Sequence, residues 1–452
     1  MPYIQNSDQD RAAMLARIGV RSVEDLFAAA IPEALRQRTL PAISPGLDED
    51  ELTRQAAEVG AENRAAGSGA CFLGAGAYDH GWIAAVDHLM QRSEFLTAYT
   101  PYQPECSQGT LQWIYEFQSM IAEICGMEVA NASMYDGCSA AAEAALMAIA
   151  TTRRKKVVVS AGLHPDTREA IRTYLKHVDA VVVEAPLAGG VTNWSGAVDS
   201  ATAAMFVQQP NFLGCVERLA PVAETAKAAG AMSVAVINPV ATGLLRSPGA
   251  AGFDIAVGDG QPLGVPMGFG GPWFGFFATR MAHVRRMPGR LVGISQDQQG
   301  RRAFTLTFQT REQHIRREKA TSNICTNNAL IALRGCVHMA ALGPKGLEEV
   351  ACVSRQRMQE TVEALAAAGV PLAFPQTPYF NEAAFRLGAD ADARALRKAL
   401  RAEEIFGGIG VSRWYPDLAG VFTLACTERT RPDDIVRLAR VAARFARQQA
   451  AR

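Results

Sequence analysis

The chain has 452 residues, 49% hydrophobic and 20% charged, with 45 basic side chains against 45 acidic ones. That length predicts two or three domains with a core that needs no covalent staple. The balanced charge argues against a broad electrostatic footprint for nucleic acid or an anionic membrane, and no run of about 18 apolar residues marks a membrane span.

The opening "MPYIQNSDQD" has neither a basic n-region nor an apolar h-region, so it is no signal peptide and the expected location is the cytoplasm. The nine cysteines stand singly, with no CxxC, which reads as reduced thiols rather than a metal or disulfide framework. Residues 9–30 read as two short helices split near Gly19, the second capped by Ser22 and stopped by Pro32. "SPGLDEDELTRQAAEVGAEN" is a further helix with acids at its start. These pieces predict an N-terminal helical arm over residues 1–70.

Along 108–127, Leu111, Ile114, Phe117, Ile121 and Ile124 recur at three or four, and Gly126 closes the helix. A turn at Asp136-Gly137 leads into an alanine-rich helix. Strands and helices then alternate: "KVVVSA", a helix over 164–177, "AVVVEA", "AAMFVQQP", a helix over 217–229, "SVAVINP" and "FDIAVG". The strands are apolar nearly throughout, which marks a parallel sheet covered on both faces in an α/β domain over 71–330. Helices over 327–342 and 345–368, strands in "PYFNEAAFRL" and "GVFTLAC" and a helix from Pro432 make a small α+β domain over 331–452.

Five stretches bear on chemistry. "YDGCSAAAEA" resembles a phosphate-cradling turn before a helix, but Asp136 is placed to cap that helix itself and would repel a phosphate. At about 4 Å that repulsion costs on the order of 4 kcal/mol with an effective dielectric near 20. Asn238 ends a buried strand where ligands of α/β proteins bind, and its neutral amide cannot offer the charge that a protonated ring nitrogen needs; Asn-Pro is also simply a good turn. "GDGQPLGVP" is an active-site type of loop that carries Gln261 and Pro262 and no lysine for a Schiff base. "TAYTPYQPECSQG" packs Tyr99, Tyr102, Gln103, Glu105 and Gln108 into a loop before a helix, as a contact surface or as a stiffened connector. Arg311, His314, Arg316, Arg317 and Lys319 form a basic cluster, with Arg311, His314 and Lys319 expected near one helical face and Ser322 and Asn323 as caps.

"FLGAGAYDH", "TAYTPYQPECSQG", "VANASMYDG", "VGDGQPLGVPMGFGGP" and "REQHIRREKATSNICTNN" together resemble the alpha subunit of the two-subunit P protein of the glycine cleavage system. The resemblance implies the fold type I architecture of pyridoxal-phosphate (PLP) enzymes. It implies that a homologous beta subunit carries the cofactor lysine, at the position of Pro262, and the ring-nitrogen aspartate, at that of Asn238. This chain would then bind no cofactor alone, its site at Asp136, Asn238, Gln261 and Pro262 being degenerate. The family pattern further implies two alpha and two beta chains, a glycine substrate and a lipoyl H protein. Under it, Tyr99, Tyr102, Gln103, Glu105 and Gln108 are the candidates to reach across the interface. Two alternatives remain: a self-sufficient PLP enzyme using a lysine such as Lys319, and a scaffold that only stabilises a partner chain.

Overall fold

The computed structural model describes residues 5–37, 42–320, 324 and 327–450. The expected caps Ser322 and Asn323, and the His314 side chain, lie outside that description. The chain divides into a unit ending at Arg64 and a unit beginning at Ala65.

The first unit holds α1 (Asp8–Ile18), α2 (Val23–Ala30) and α3 (Glu49–Ala61). Ser7 and Asp10 form a capping box on α1, Gly19 closes it at φ 86°, and Ser22 accepts the Asp25 N–H at 3.1 Å. None of the residues in these helices is buried.

The second unit is built on a seven-stranded sheet. Its strands are β1 (Val129–Ala130), β2 (Lys156–Ser160), β3 (Val181–Ala185), β4 (Thr202–Gln209), β5 (Met232–Ile237), β6 (Ile255–Asp259) and β7 (Gly275–Thr279). The spatial order is β1-β7-β6-β5-β4-β2-β3. From β6 to β3 all neighbours pair in parallel, while β7 is antiparallel to both β6 and β1. The sheet is therefore mixed and largely parallel rather than purely parallel. Side chains alternate between its faces, so Ala204 and Phe206 join one core while Met205 and Val207 join the other. Both faces are covered, which is why the strands read as unbroken apolar runs.

One face packs under α4 (Gln108–Cys125), through Leu111, Ile114, Phe117 and Ile121. The other packs under the alanine-rich α5 (Gly137–Thr152), whose small side chains let it lie close on β6. The long helix α6 (Ala329–Ala367) is two helices joined at a kink, where Gly343 is non-helical and Pro344 removes a donor. A second layer pairs Glu382–Arg386 and Ile409–Gly410 with Val421–Ala425, all antiparallel, and buries Leu396, Leu400 and Leu438 of two helices against Phe385 and Phe422. An antiparallel hairpin, Leu291–Gln296 with Arg302–Thr307, was not foreseen from the sequence. Its apolar positions are interrupted by Gly293 and by the polar turn "QDQQGRR".

Candidate active site

In the sheet, β3 and β4 lie on opposite sides of β2, so the chain reverses its direction of build there. Ligands of α/β folds bind outside the carboxyl ends of strands at such a point. A cavity of about 290 Å³ opens there, lined by His164 beyond β2, Gln208 and Pro210 from β4, Asn238 beyond β5, Asp259 and Pro262. Gly137 and Cys138, opening α5, and Ala75 to Tyr78 complete the wall with Trp273.

Asp136 is the N-cap of α5: its Oδ1 accepts the Ser139 N–H at 2.7 Å, and the Ser139 Oγ accepts the Asp136 N–H at 3.2 Å. The Gly137 N–H donates to Asp259 Oδ2 at 3.2 Å, and the Gln261 N–H donates to Asp259 Oδ1 at 2.9 Å. Two carboxylates thus take the Gly137 and Ser139 N–H groups at the start of this helix, the kind of donors that attract anions. Position 137 needs glycine, since a Cβ would come within 2.8 Å of the Asp259 backbone nitrogen. Burial pushes the Asp259 carboxyl up to about 7, with the charge of Asp136 adding to the rise. Burial also pushes the Cys138 thiol up to about 11, so it is no ready nucleophile.

The loop after β6 is closed in the same way. The Gln261 side-chain amide donates to the carbonyls of Tyr78 (2.9 Å) and Val265 (2.8 Å), and its oxygen accepts the Tyr78 N–H at 2.9 Å. Further along, Arg334 Nε donates to the Gly264 carbonyl at 2.5 Å, and His338 packs on the glycine itself. The Tyr78 hydroxyl donates to buried Glu382 at 2.8 Å, which ties this wall to the second layer. Asn238 Oδ1 accepts the Val240 N–H at 3.0 Å, and its buried Nδ2 has no hydrogen-bond partner.

His164 was missed in the sequence. The only signal was its place just past a buried strand, in "SAGLHPD". Its Nδ1 accepts the Asp166 N–H at 3.1 Å and its Nε2 lies 3.1 Å from the Ala75 carbonyl. Burial holds its pKa below the usual histidine value, with nearby Asp166 opposing.

These residues do not fit PLP. Pro262 offers no amine, Asp136 and Asp259 already take the Ser139 and Gly137 N–H groups, and the neutral Asn238 amide supplies no negative charge to the cavity. No lysine lines the cavity. Lys319 is exposed and is not among the lining residues, so nothing favours it as the reactive amine. Among the described residues no group of three or more histidines, cysteines or acids could hold a metal.

The 99–109 loop lies elsewhere. Tyr99 is 71% exposed and lines a separate cleft of about 200 Å³ with Thr100, Trp113, Arg290 and Asn327. Tyr102 is 48% exposed, and its hydroxyl accepts from Arg290 Nη2 at 2.8 Å. Gln103 and Glu105 are exposed. Gln108 donates to the Pro104 and Phe304 carbonyls (2.6 and 2.9 Å) and accepts the Phe304 N–H at 2.9 Å.

The basic cluster does not form one helical face. Residues 309–319 break into a 3-10 turn, a four-residue helix and a second 3-10 turn. Arg311 is buried and donates to the carbonyls of Phe308, Met287 and Gly289, whereas Lys319 is exposed. The eight described cysteines are all free, four of them buried.

Comparison with known proteins agrees with this architecture. A protein of Rhodospirillum rubrum named "probable glycine dehydrogenase (decarboxylating) subunit 1" is 49% identical over 441 residues, covering 96% of this chain and 97% of that protein. A crystal structure of glycine decarboxylase (P-protein) of the glycine cleavage system, in inhibitor-bound form, superposes with a TM-score of 0.90 at 45% identity, covering 98% of this chain and 100% of that one. A sphingosine-1-phosphate lyase of Burkholderia pseudomallei, 15% identical, covers 93% of this chain and 94% of its own at a TM-score of 0.65, which speaks for the fold alone. The fold is the fold type I architecture of PLP enzymes. A family model for the glycine cleavage system P-protein matches residues 1–442, and the chain belongs to that family.

Proposed function

We propose that this chain is the cofactor-free subunit of a cytoplasmic glycine dehydrogenase (decarboxylating). The observation that carries the reading is the cavity at the carboxyl end of the sheet, where Asp136, Asp259 and Gln261 are bonded within the chain and no lysine lines the wall. Asp136 and Asp259 take the Ser139 and Gly137 N–H groups, Gln261 is bound to Tyr78, and Pro262 is the residue that the family resemblance sets against the partner's lysine. A member of the P-protein family built this way needs a partner chain that brings the lysine and PLP. Two copies of each chain would assemble, with glycine as substrate. Glycine loses carbon dioxide, and its aminomethyl group passes to the lipoyl arm of an H protein.

What this chain supplies is the 99–109 loop. Tyr99, Tyr102, Gln103 and Glu105 have exposed side chains that can meet the partner's pocket and orient glycine there. Gln108, bonded at both ends of its amide, fixes the loop's base. The test is glycine-dependent release of carbon dioxide with lipoyl H protein, for this chain alone, the partner alone and the two mixed. Activity only in the mixture supports the reading. Activity in this chain alone overturns it.

A further inference from the structure

The loop carries exposed aromatic and polar side chains, yet it is not loose. It is mounted on the hairpin of Leu291–Gln296 and Arg302–Thr307. The hairpin is itself held to α4, where the buried Gln118 amide donates to the Val292 carbonyl at 3.0 Å and accepts the Val292 N–H at 2.9 Å. One residue ahead of its first strand stands Arg290, only 8% exposed. A guanidinium that deep needs partners, since burying a charge without them is costly. Its Nη2 donates to the Tyr102 hydroxyl at 2.8 Å, its Cζ lies 5.3 Å from the centre of the Tyr102 ring, and its Nε lies 3.6 Å from the Glu312 carboxylate. The Arg290 carbonyl accepts the Ala132 N–H at 2.9 Å, beside Ser133, a non-glycine residue at φ 127°. Such outliers persist only where the surroundings over-determine them.

We propose that Arg290 is a positioning residue: through the Tyr102 hydroxyl it fixes the tip of the 99–109 loop, as Gln108 fixes its base. Between these two anchors Gln103 and Glu105 are presented to solvent in one orientation. Arginine suits the place because Nη2 can donate to Tyr102 while the rest of the delocalised charge stays within ion-pair distance of Glu312, a spread that a lysine point charge does not have. The ring contact adds a cation–π attraction to the hydrogen bond. As a route to catalysis this rests on the proposed function, whereas the positioning of the loop belongs to this chain alone.

The experiment is hydrogen exchange on the isolated full-length chain, comparing Arg290→Met, Arg290→Lys, Tyr102→Phe and the double variant R290M/Y102F. Loss of one charge-assisted hydrogen bond is expected to speed exchange over 99–107 about tenfold. The α4 amides of 111–125 should be unchanged, and the double variant should be no faster than the faster single one. Arg290→Lys should fall between wild type and Arg290→Met. Unchanged exchange over 99–107, or a rise that spreads equally into α4, overturns the proposal. Tyr102→Phe removes only a hydroxyl, so its exchange decides the matter even if Arg290→Met fails to fold. In the two-chain enzyme, Arg290→Met should lower kcat as Tyr102→Phe does. If exchange responds as stated but the mixture has no activity, the proposed function fails and the positioning role stands.

Discussion

Asp259 offers a direct measure of how firmly the cavity is closed from within. The substitution is Asp259→Asn. A carboxyl whose pKa moves from 3.8 when unfolded to about 7 when folded holds its proton more tightly in the native state. Between those values the native chain binds more protons than the unfolded one, so stability falls as pH rises through the window. The full cost, on the order of 4 kcal/mol, is present at pH 8 and falls to less than half of that at pH 5. Asparagine carries no charge and removes that dependence. It keeps one of the two backbone bonds, from Gly137 or Gln261, and turns an N–H toward the other, a loss of roughly 1–2 kcal/mol. The variant should therefore be the more stable by about 2 kcal/mol at pH 8, and its advantage should vanish near pH 5. Urea unfolding of the isolated chain at pH 5, 6, 7 and 8 reads this as midpoints. Glu143 is also pushed up to about 7 by burial, so the quantity to follow is the difference between variant and wild type, in which Glu143 cancels. A difference that does not change with pH would refute the account of Asp259.

The same closure predicts that Pro262→Lys combined with Asn238→Asp does not restore a cofactor site. A phosphate about 4 Å from a carboxylate loses on the order of 4 kcal/mol at an effective dielectric near 20, close to a thousandfold in affinity. Borohydride treatment with PLP followed by intact mass should find no stoichiometric adduct at residue 262; a full adduct would show that the carboxylates do not guard the helix. Gly264→Ala should cost about 2–4 kcal/mol from left-handed strain and overlap. Its φ is +83° and a Cβ would lie 2.5 Å from the His338 ring. An unfolding midpoint equal to wild type would remove the claim that His338 braces this loop. Tyr102→Phe in the assembled two-chain enzyme should lower turnover with glycine, and unchanged kinetics would strike Tyr102 from the residues that close the pocket.

Most of the layered core was legible because burial on both faces writes each strand as an apolar run. Val157 to Val159 and Val234 to Ile237 have no polar side to lose. Direction is not written that way. β7, "GFFAT", is as apolar as its neighbours, and its antiparallel course depends on pairing with β6 and β1. The kink between Gly343 and Pro344 was legible because proline acts locally. Around the cavity, the cap at Asp136 could be read from its place before an alanine-rich helix, and Asn238 and Pro262 from their places just past buried strands. What could not be read were the partners: Asp259 meets Gly137 from 122 residues away and Gln261 meets Tyr78 from 183. For Arg311 the spacing suggested a helical face, but the chain turns there and the guanidinium satisfies three carbonyls inside the fold.

On the proposed function, the contacts of Asp136, Asp259 and Gln261 would uncouple the folding of this chain from nutrition. An enzyme that grips its cofactor gains stability from it by mass action and loses that gain when the cofactor runs short. Here residues of the chain itself take the Gly137 and Ser139 N–H groups and hold the loop at Gln261. On the two-chain reading, vitamin shortage would weaken the lysine-bearing partner first and leave this chain standing as a reserve of intact, assembly-ready subunits.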